Sequence, residues 1–407
     1  MEQDGCFHAV EEEPMCNEDS NMLDVNENVF QDLVVRQFLE WPSLTAQWLP
    51  DVTRPEGEEY SLHRLILGTD TSEDHQNYLM IANVQIPDEN HRCHDIYCDQ
   101  NLDNWKVEIQ TKINHEGEVN KACYMPQNPS IIATQTCFGD VLVFDCTKQP
   151  SEPEPSGICS PQLTLKGHEQ EGYGLSWNPN QYGYLVSASD DTAICLWDIN
   201  SMSANTGVLR PIATFTEHAL FVNDVEWHPV YQNMFGSVSN DETLMIWDTR
   251  IYDTVHIIQA HTDEINCLAF NPYREFILAT GSADDTIALW DLRNMNSKLY
   301  SIVHHKEATI RLQWSPHNQN ILASSGGDKR LYVWDVSNLV AEQSTDNATS
   351  DPHEMMFIGC QHIGEILEFS WNPNEPRLIG SVTWDKIVQI WKMADNDYYT
   401  ELLKSAH

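Results

Sequence analysis

The stretch YLVSASDDTAICLW, Tyr184–Trp197, reads as two short strands joined by a tight turn. Apolar and small residues fill Tyr184–Ser189, Asp190-Asp191-Thr192 supply the turn, and Ile194–Trp197 is apolar again. The frame around it repeats. A His is followed 29 positions later by an aromatic residue in six pairs: His115 and Phe144, His168 and Trp197, His218 and Trp247, His261 and Trp290, His305 and Trp334, His362 and Trp391. Nine residues after each His stands another aromatic (Tyr124, Trp177, Trp227, Phe270, Trp314, Trp371), and two further on a Pro (Pro126, Pro179, Pro229, Pro272, Pro316, Pro373). Because Pro cannot donate to a ladder, each closes a strand. Asp191, Asp241, Asp284, Asp328 and Asp385 hold the turn position, and the first copy has Phe138 there. The 29-residue interval is fixed while successive His residues lie 43 to 57 apart, so the variable length falls in loops between units.

Four of these units end in Trp-Asp (Trp197-Asp198, Trp247-Asp248, Trp290-Asp291, Trp334-Asp335), and one opens with Gly167-His168. The chain therefore resembles WD-repeat β-propellers. That resemblance assigns the His, turn Asp and strand Trp to a buried network holding each blade together, not to catalysis. Nine of the 13 Trp sit at repeat positions, which leaves few for an aromatic binding cage. Leu44–Trp48, Leu62–Leu67 and Tyr78–Ile86 look like three more strands and complete a seventh blade, with the two chain ends paired to close the ring. Asn28–Leu39 places Val29, Phe30, Leu33, Val34 and Phe38 at helical spacing, with Asp24 or Asn26 as cap. The expected fold is all-β, a seven-bladed WD-repeat β-propeller with an N-terminal α-helix. Its parts are an acidic segment 1–26, a helix 27–40, a propeller 41–394 with an acidic loop 340–354, and a tail 395–407.

Composition narrows function. The 407 residues include 62 acidic and 22 basic, a formal charge of −40. Direct binding to DNA, RNA or an anionic membrane needs a basic surface, so cationic proteins are the expected partners. The chain is 41% hydrophobic, enough for a sizeable core. The first twenty residues hold Glu2, Asp4, Glu11, Glu12, Glu13, Glu18 and Asp19 and read as no signal peptide, and no apolar run reaches membrane-span length. Eleven scattered Cys suit reduced thiols inside a cell, which makes the Asn347-Ala348-Thr349 sequon a chance match. Cys93, His94 and Cys98 fit no zinc spacing. No phosphate loop, His-Glu-x-x-His pair or nucleophile elbow is present, so no enzyme, cofactor, metal or small-molecule substrate is expected.

Two surfaces are candidates for docking. Three residues after each His stand Glu118, Glu171, Phe221, Glu264, Ala308 and Glu365; five after it stand Asn120, Tyr173, Asn223, Asn266, Ile310 and Leu367. Alternate residues share a face, so these should converge on the channel mouth as an acidic rim suited to a Lys- or Arg-bearing extended peptide. An ordinary solvated acidic surface is the competing explanation. The second candidate joins the N-terminal helix to the loop Val340–Pro352, with Glu342, Asp346 and Asp351, and to the apolar run Met355–Ile358, as a groove for a basic amphipathic helix. A disordered inter-blade loop competes there.

A closer resemblance lies in Leu39–Gly57 (LEWPSLTAQWLPDVTRPEG), Ile113–Asn120 (INHEGEVN), Glu171–Pro179 (EGYGLSWNP), Phe270–Tyr273 (FNPY) and Glu275–Asp284 (EFILATGSAD). These stretches are similar to the histone-binding WD-repeat proteins, that is, the retinoblastoma-associated proteins and the small subunit of chromatin assembly factor. The resemblance implies a nuclear, non-catalytic histone chaperone and scaffold that also occurs in the cytoplasm. Its partners would be histones three and four, retinoblastoma-type proteins, and subunits of chromatin assembly, remodelling, deacetylase and Polycomb repressor complexes. It also implies a histone-four helix in a groove at Val29, Phe30, Leu33, Asp351, Phe357 and Ile358. A basic tail would sit at the mouth on Glu118, Asn120, Glu171, Tyr173 and Asn266, with Asn223, Glu264 and Glu365 completing the rim. The chain departs from the family at Asp351-Pro352-His353, where consecutive prolines are usual. Asn223 and Trp384 replace acidic residues and Ile310 an aromatic, which implies weaker or altered tail binding. Trp247-Asp248-Thr249-Arg250 and Trp290-Asp291-Leu292-Arg293 fit a different class, the substrate receptors of cullin-type ubiquitin ligases. A propeller that has lost its histone sites is the third reading.

Overall fold

In the computed structural model, residues 33–71, 75–87, 105–201, 207–337, 354–358 and 364–393 are described. They form seven antiparallel sheets. Blade 1 is Ala46–Thr53, Tyr60–Gly68, Asn77–Pro87 and Lys106–His115, so the three expected early strands are present and gain a fourth. Blade 2 is Val119–Met125, Asn128–Thr136, Val141–Asp145 and Leu163–Leu165, with Val208–Leu209 added in parallel at its edge. Blade 3 is Gly174–Trp177, Tyr184–Ala188, Ile194–Asp198 and Ala213–Phe215. Blade 4 is Val222–Trp227, Met234–Ser239, Thr243–Asp248 and Asp253–Gln259. Blade 5 is Ile265–Phe270, Ile277–Ser282, Thr286–Asp291 and Tyr300–Val303. Blade 6 is Thr309–Trp314, Ile321–Gly326, Leu331–Asp335 and Glu354–Ile358. Blade 7 is Ile366–Trp371, Leu378–Thr383, Ile387–Lys392 and, from the other end of the chain, Leu33–Phe38.

That last strand corrects the helix expected over 27–40. Leu33–Phe38 pairs antiparallel with Ile387–Lys392, Val35 opposite Ile390, and the Leu39 N–H continues the attachment by donating to the Lys386 carbonyl at 2.7 Å. The last blade supplies only three strands of its own, and ladder hydrogen bonds along its open edge outweigh a helical side-chain spacing. Val35 and Leu39 then pack on the apolar layer between blades 7 and 1. The propeller therefore begins before residue 41, while residues 27–32 lie outside the described residues.

The core is seven layers, one in each seam between neighbouring blades. The layer between blades 1 and 2 holds Leu49, Ile66, Leu79, Ile132 and Phe144, and the one between blades 7 and 1 holds Trp48, Leu65, Leu378 and Ile390. Face-to-face packing of twisted sheets needs such an apolar layer on both faces of every blade, which is why the strands alternate so little. The aromatic nine residues after His also staples seams: Trp177 Nε1 donates to the Cys123 carbonyl at 3.1 Å and Trp314 Nε1 to that of Ala269 at 3.0 Å.

Within a blade the repeat residues form one network. His168 Nδ1 meets Asp191 at 3.1 Å, His168 Nε2 lies 2.7 Å from Ser187 Oγ, and Trp197 Nε1 donates to the same oxygen at 2.9 Å. His218, His261 and His305 repeat it through Ser237, Thr280 and Ser324. Burial opposes charge on these imidazoles. At His168 the Asp191 hydrogen bond outweighs burial and pushes the pKa up to about 9, whereas at His261 burial wins and lowers it. After each turn Asp the next residue is left-handed: Thr192, Glu242, Asp285, Lys329 and Lys386 have φ between 63° and 68°. The Asp carboxylate stabilises that turn by accepting the N–H two residues on, as from Ala193 at 3.0 Å. In the copy that lacks Asp, Gly139 takes the left-handed position with φ 83°, where no side chain is strained.

Candidate docking site at the channel mouth

The residues three after His occupy one structural phase. The carbonyls of Glu171, Phe221, Glu264, Ala308 and Glu365 accept the N–H of Asp190, Asn240, Ala283, Gly327 and Trp384 in turn. Four glutamates on this phase therefore ring one end of the channel, as expected. Glu118, Glu171 and Glu264 are half-buried and Glu365 is exposed.

The residues five after His behave differently from the expectation of a uniform polar lining. Asn223 donates its amide to the Ile265 carbonyl at 2.8 Å and Asn266 to that of Thr309 at 2.9 Å, each reaching the first residue of the next inner strand. Asn120 does the same to Gly172 at 3.3 Å. The asparagines are thus staples between blades first, and only their side-chain oxygens remain for a ligand.

The seam between blades 2 and 3 concentrates the charge. Asn120 Nδ2 donates to Glu171 at 3.1 Å, and the Tyr173 hydroxyl donates to the same carboxylate oxygen at 3.3 Å. Asn120 is buried, and its Oδ1 has no hydrogen-bond partner among the described residues; nor has Oε1 of buried Gln135, whose Nε2 donates to Ala188 O at 2.7 Å. Burial, then the charges of Glu171 and Asp191, push the Asp190 carboxyl up to about 6. Burial, then Glu171 and more weakly Asp190 and Glu118, raise the Tyr173 phenol well above its ordinary value. The seam is rich in acceptors with too few donors, which is where an ammonium or guanidinium gains most. Asp190 belongs to it although its place in the sequence marks it only as a turn residue.

Below the mouth the channel is crossed by ions. Lys121 of blade 2 pairs with Glu368 of blade 7, and Arg311 Nε of blade 6 lies 3.6 Å from the same carboxylate. Asp224 faces this group; burial raises its pKa, against the opposing pull of Arg311 and Lys121. Beyond lies a cavity of about 410 Å³, with Glu226 and Gln313 in its wall and Pro126, Pro229 and Pro316 around it. Among the described residues no group of three or more His, Cys, Asp or Glu is arranged to hold a metal ion.

The groove residues are only partly placed. Leu33 lies in the outer strand of blade 7, and Phe357 and Ile358 lie in the outer strand of the neighbouring blade 6. Val29, Phe30, Asp351 and most of the loop 340–354, like Cys93, His94 and Cys98, lie outside the described residues. The arginines of the two Trp-Asp-x-Arg stretches fold back on their own motifs: Arg293 forks onto Asp291 at 2.6 and 2.9 Å, and Arg250 grips Asp248 in the same way.

A family model for the histone-binding protein RBBP4, or its counterpart in the CAF1 complex, matches residues 22–88. A second, "WD domain, G-beta repeat", matches residues 159–198, 209–248, 252–291 and 296–335. A chain in the solved structure "Crystal Structure of Mitotic Checkpoint Complex" is similar with a TM-score of 0.63 over 96% of this chain and 99% of that one; at 17% identity the likeness shows the fold alone.

Proposed function

Because the chain belongs to the histone-binding WD-repeat family, we propose that it is a non-catalytic scaffold that docks histones for chromatin complexes. The acidic mouth takes an extended basic tail, from histone three or a cofactor with a similar sequence. The observation that carries this is the blade 2–3 seam, where Glu171 and Asp190 stand beside the unpartnered oxygens of Asn120 and Gln135. A Lys or Arg side chain brings only donors and a positive charge, so it meets that shortage directly. The flank between Leu33 and Phe357 takes the histone-four helix, a reading supported by the family match over residues 22–88. A nuclear location follows from such work, as does membership of assembly, remodelling, deacetylase or Polycomb complexes. Mass spectrometry of the native complexes tests the assignment: histones and chromatin subunits are expected, and a set containing neither rejects it. A histone-four helix peptide, with Phe30→Ala as control, tests the flank; no binding by the unmodified protein removes the groove.

A further inference from the structure

Away from the acidic seam the mouth changes character. Blade 4 presents Phe221 where other blades have Glu, with Leu220 beside it. Blade 6 presents Ala308 and Ile310, and blade 7 adds Leu367 and Trp384. In a seven-membered ring, blade 6 stands opposite the seam between blades 2 and 3. Several of these side chains face solvent: Trp384 is 57% exposed, Leu220 50% and Phe221 44%. Phe138, 65% exposed, sits at the edge of the acidic seam itself, its ring over Gly117, where an added Cβ would come within 2.7 Å of it. Trp384 is fixed beside Glu365 by its own N–H, which donates to the Glu365 carbonyl at 3.1 Å.

Large exposed apolar groups rimmed by charge mark a contact surface more often than chance. An aromatic face next to a carboxylate also holds a cation from two sides, by its quadrupole and by the charge. We propose that the mouth selects a basic peptide in which bulky apolar residues are interleaved with Lys or Arg. Its cations seat at the blade 2–3 seam, and its apolar side chains rest on Phe138, Phe221 and Trp384. This inference rests on the reading of the mouth as a basic-peptide site and adds its sequence preference. Charge fixes the occupant. Residues 1–32 of this chain contain no Lys or Arg, and a second copy carries the same −40, so neither complements the rim.

The test is fluorescence anisotropy on the full chain with two labelled peptides of equal length and equal Lys and Arg content. One has Leu and Phe between the cations; the other has Ser and Gly there. The apolar peptide is expected to bind at least about tenfold tighter, with the ratio persisting at high salt while both affinities fall. Phe138→Ser, Phe221→Ser and Trp384→Ser together are expected to cut the ratio to about twofold without changing binding of the hydrophilic peptide; Trp384→Ser alone gives an intermediate ratio. All three side chains are surface groups, and an unchanged melting temperature verifies folding. Equal affinities, or a ratio untouched by the triple variant, overturn the inference and leave the basic-peptide mouth standing. Failure of both peptides to bind overturns the mouth and the preference together.

Discussion

Asn120 of blade 2 donates its side-chain amide to the Glu171 carboxylate of blade 3 at 3.1 Å, joining the two blades where the mouth is most acidic. The bond points the carboxylate at the seam and leaves it charged. Glu171→Gln removes the charge but keeps the shape. Affinity for a basic tail peptide is expected to fall about 10- to 100-fold, the loss of one charge-assisted hydrogen bond. Calorimetry measures it, with a near-unchanged melting temperature as control.

Asp190 gives the mouth a pH response. Its carboxyl, raised by burial and by Glu171 and Asp191 to about 6, gains its charge as pH rises through that value. Tail affinity is therefore expected to strengthen between about pH 5 and pH 7, by a factor of a few. Asp190→Asn is expected to flatten that profile.

Glu226, in the far wall of the channel, accepts the Phe270 N–H at 2.7 Å and has no cation within pairing distance among the described residues. Burial, against that hydrogen bond, pushes its carboxyl from 4.5 up to about 8. The folded state thus keeps a proton that the unfolded chain loses above its ordinary value, so stability falls as pH rises from 4.5 through 8. Glu226→Gln removes this slope. The variant is expected to gain on the order of 2 kcal/mol at about pH 8.5 and almost nothing near pH 5, by urea denaturation.

Ser187 joins His168 and Trp197 at 2.7 and 2.9 Å inside blade 3. Ser187→Ala strands two buried groups at once, and a loss of about 2–4 kcal/mol is expected in urea unfolding. Replacing an exposed residue of the same blade, such as Tyr182→Ser, is expected to change stability by less than about 0.5 kcal/mol.

Removal of residues 1–38 takes away the outer strand of blade 7 and bares the edge of Ile387–Lys392. The truncated protein is expected to melt several degrees lower and to self-associate through the open edge, by calorimetry and light scattering. An unchanged melting temperature contradicts ring closure by this strand.

The ring itself was legible because a buried His, a turn Asp and a strand Trp function only at fixed separations, so the 29-residue interval carries the geometry of one blade. The hydroxyl that completes each network lay in plain view ten residues before the Trp, at Ser187, Ser237, Thr280, Ser324 and Ser381, but Ser and Thr are common enough to hide a period. Relations between blades were not legible. Asn223 and Asn266 read as mouth acceptors because their partners, the carbonyls of Ile265 and Thr309, belong to another repeat. Leu33–Phe38 reads as helix because its apolar spacing fits that period, while the open edge it fills lies more than 340 residues away in sequence. The carboxylate phase of Glu118, Glu171, Glu264 and Glu365 was predictable from the repeat alone; its concentration at one seam, with Asp190, needed the fold.

Reception of a cationic tail by the acidic end of the channel is tested most directly by photo-crosslinking. A histone-three tail peptide carries a benzophenone next to a lysine, and the attachment sites are mapped by mass spectrometry. Saturable crosslinks are expected to cluster on blades 2 and 3 around Asn120, Glu171, Tyr173 and Asp190, suppressed by Glu171→Gln and by raised salt. Crosslinks spread evenly over the acidic surface, or confined to the outer strands, would contradict a tail site at the mouth.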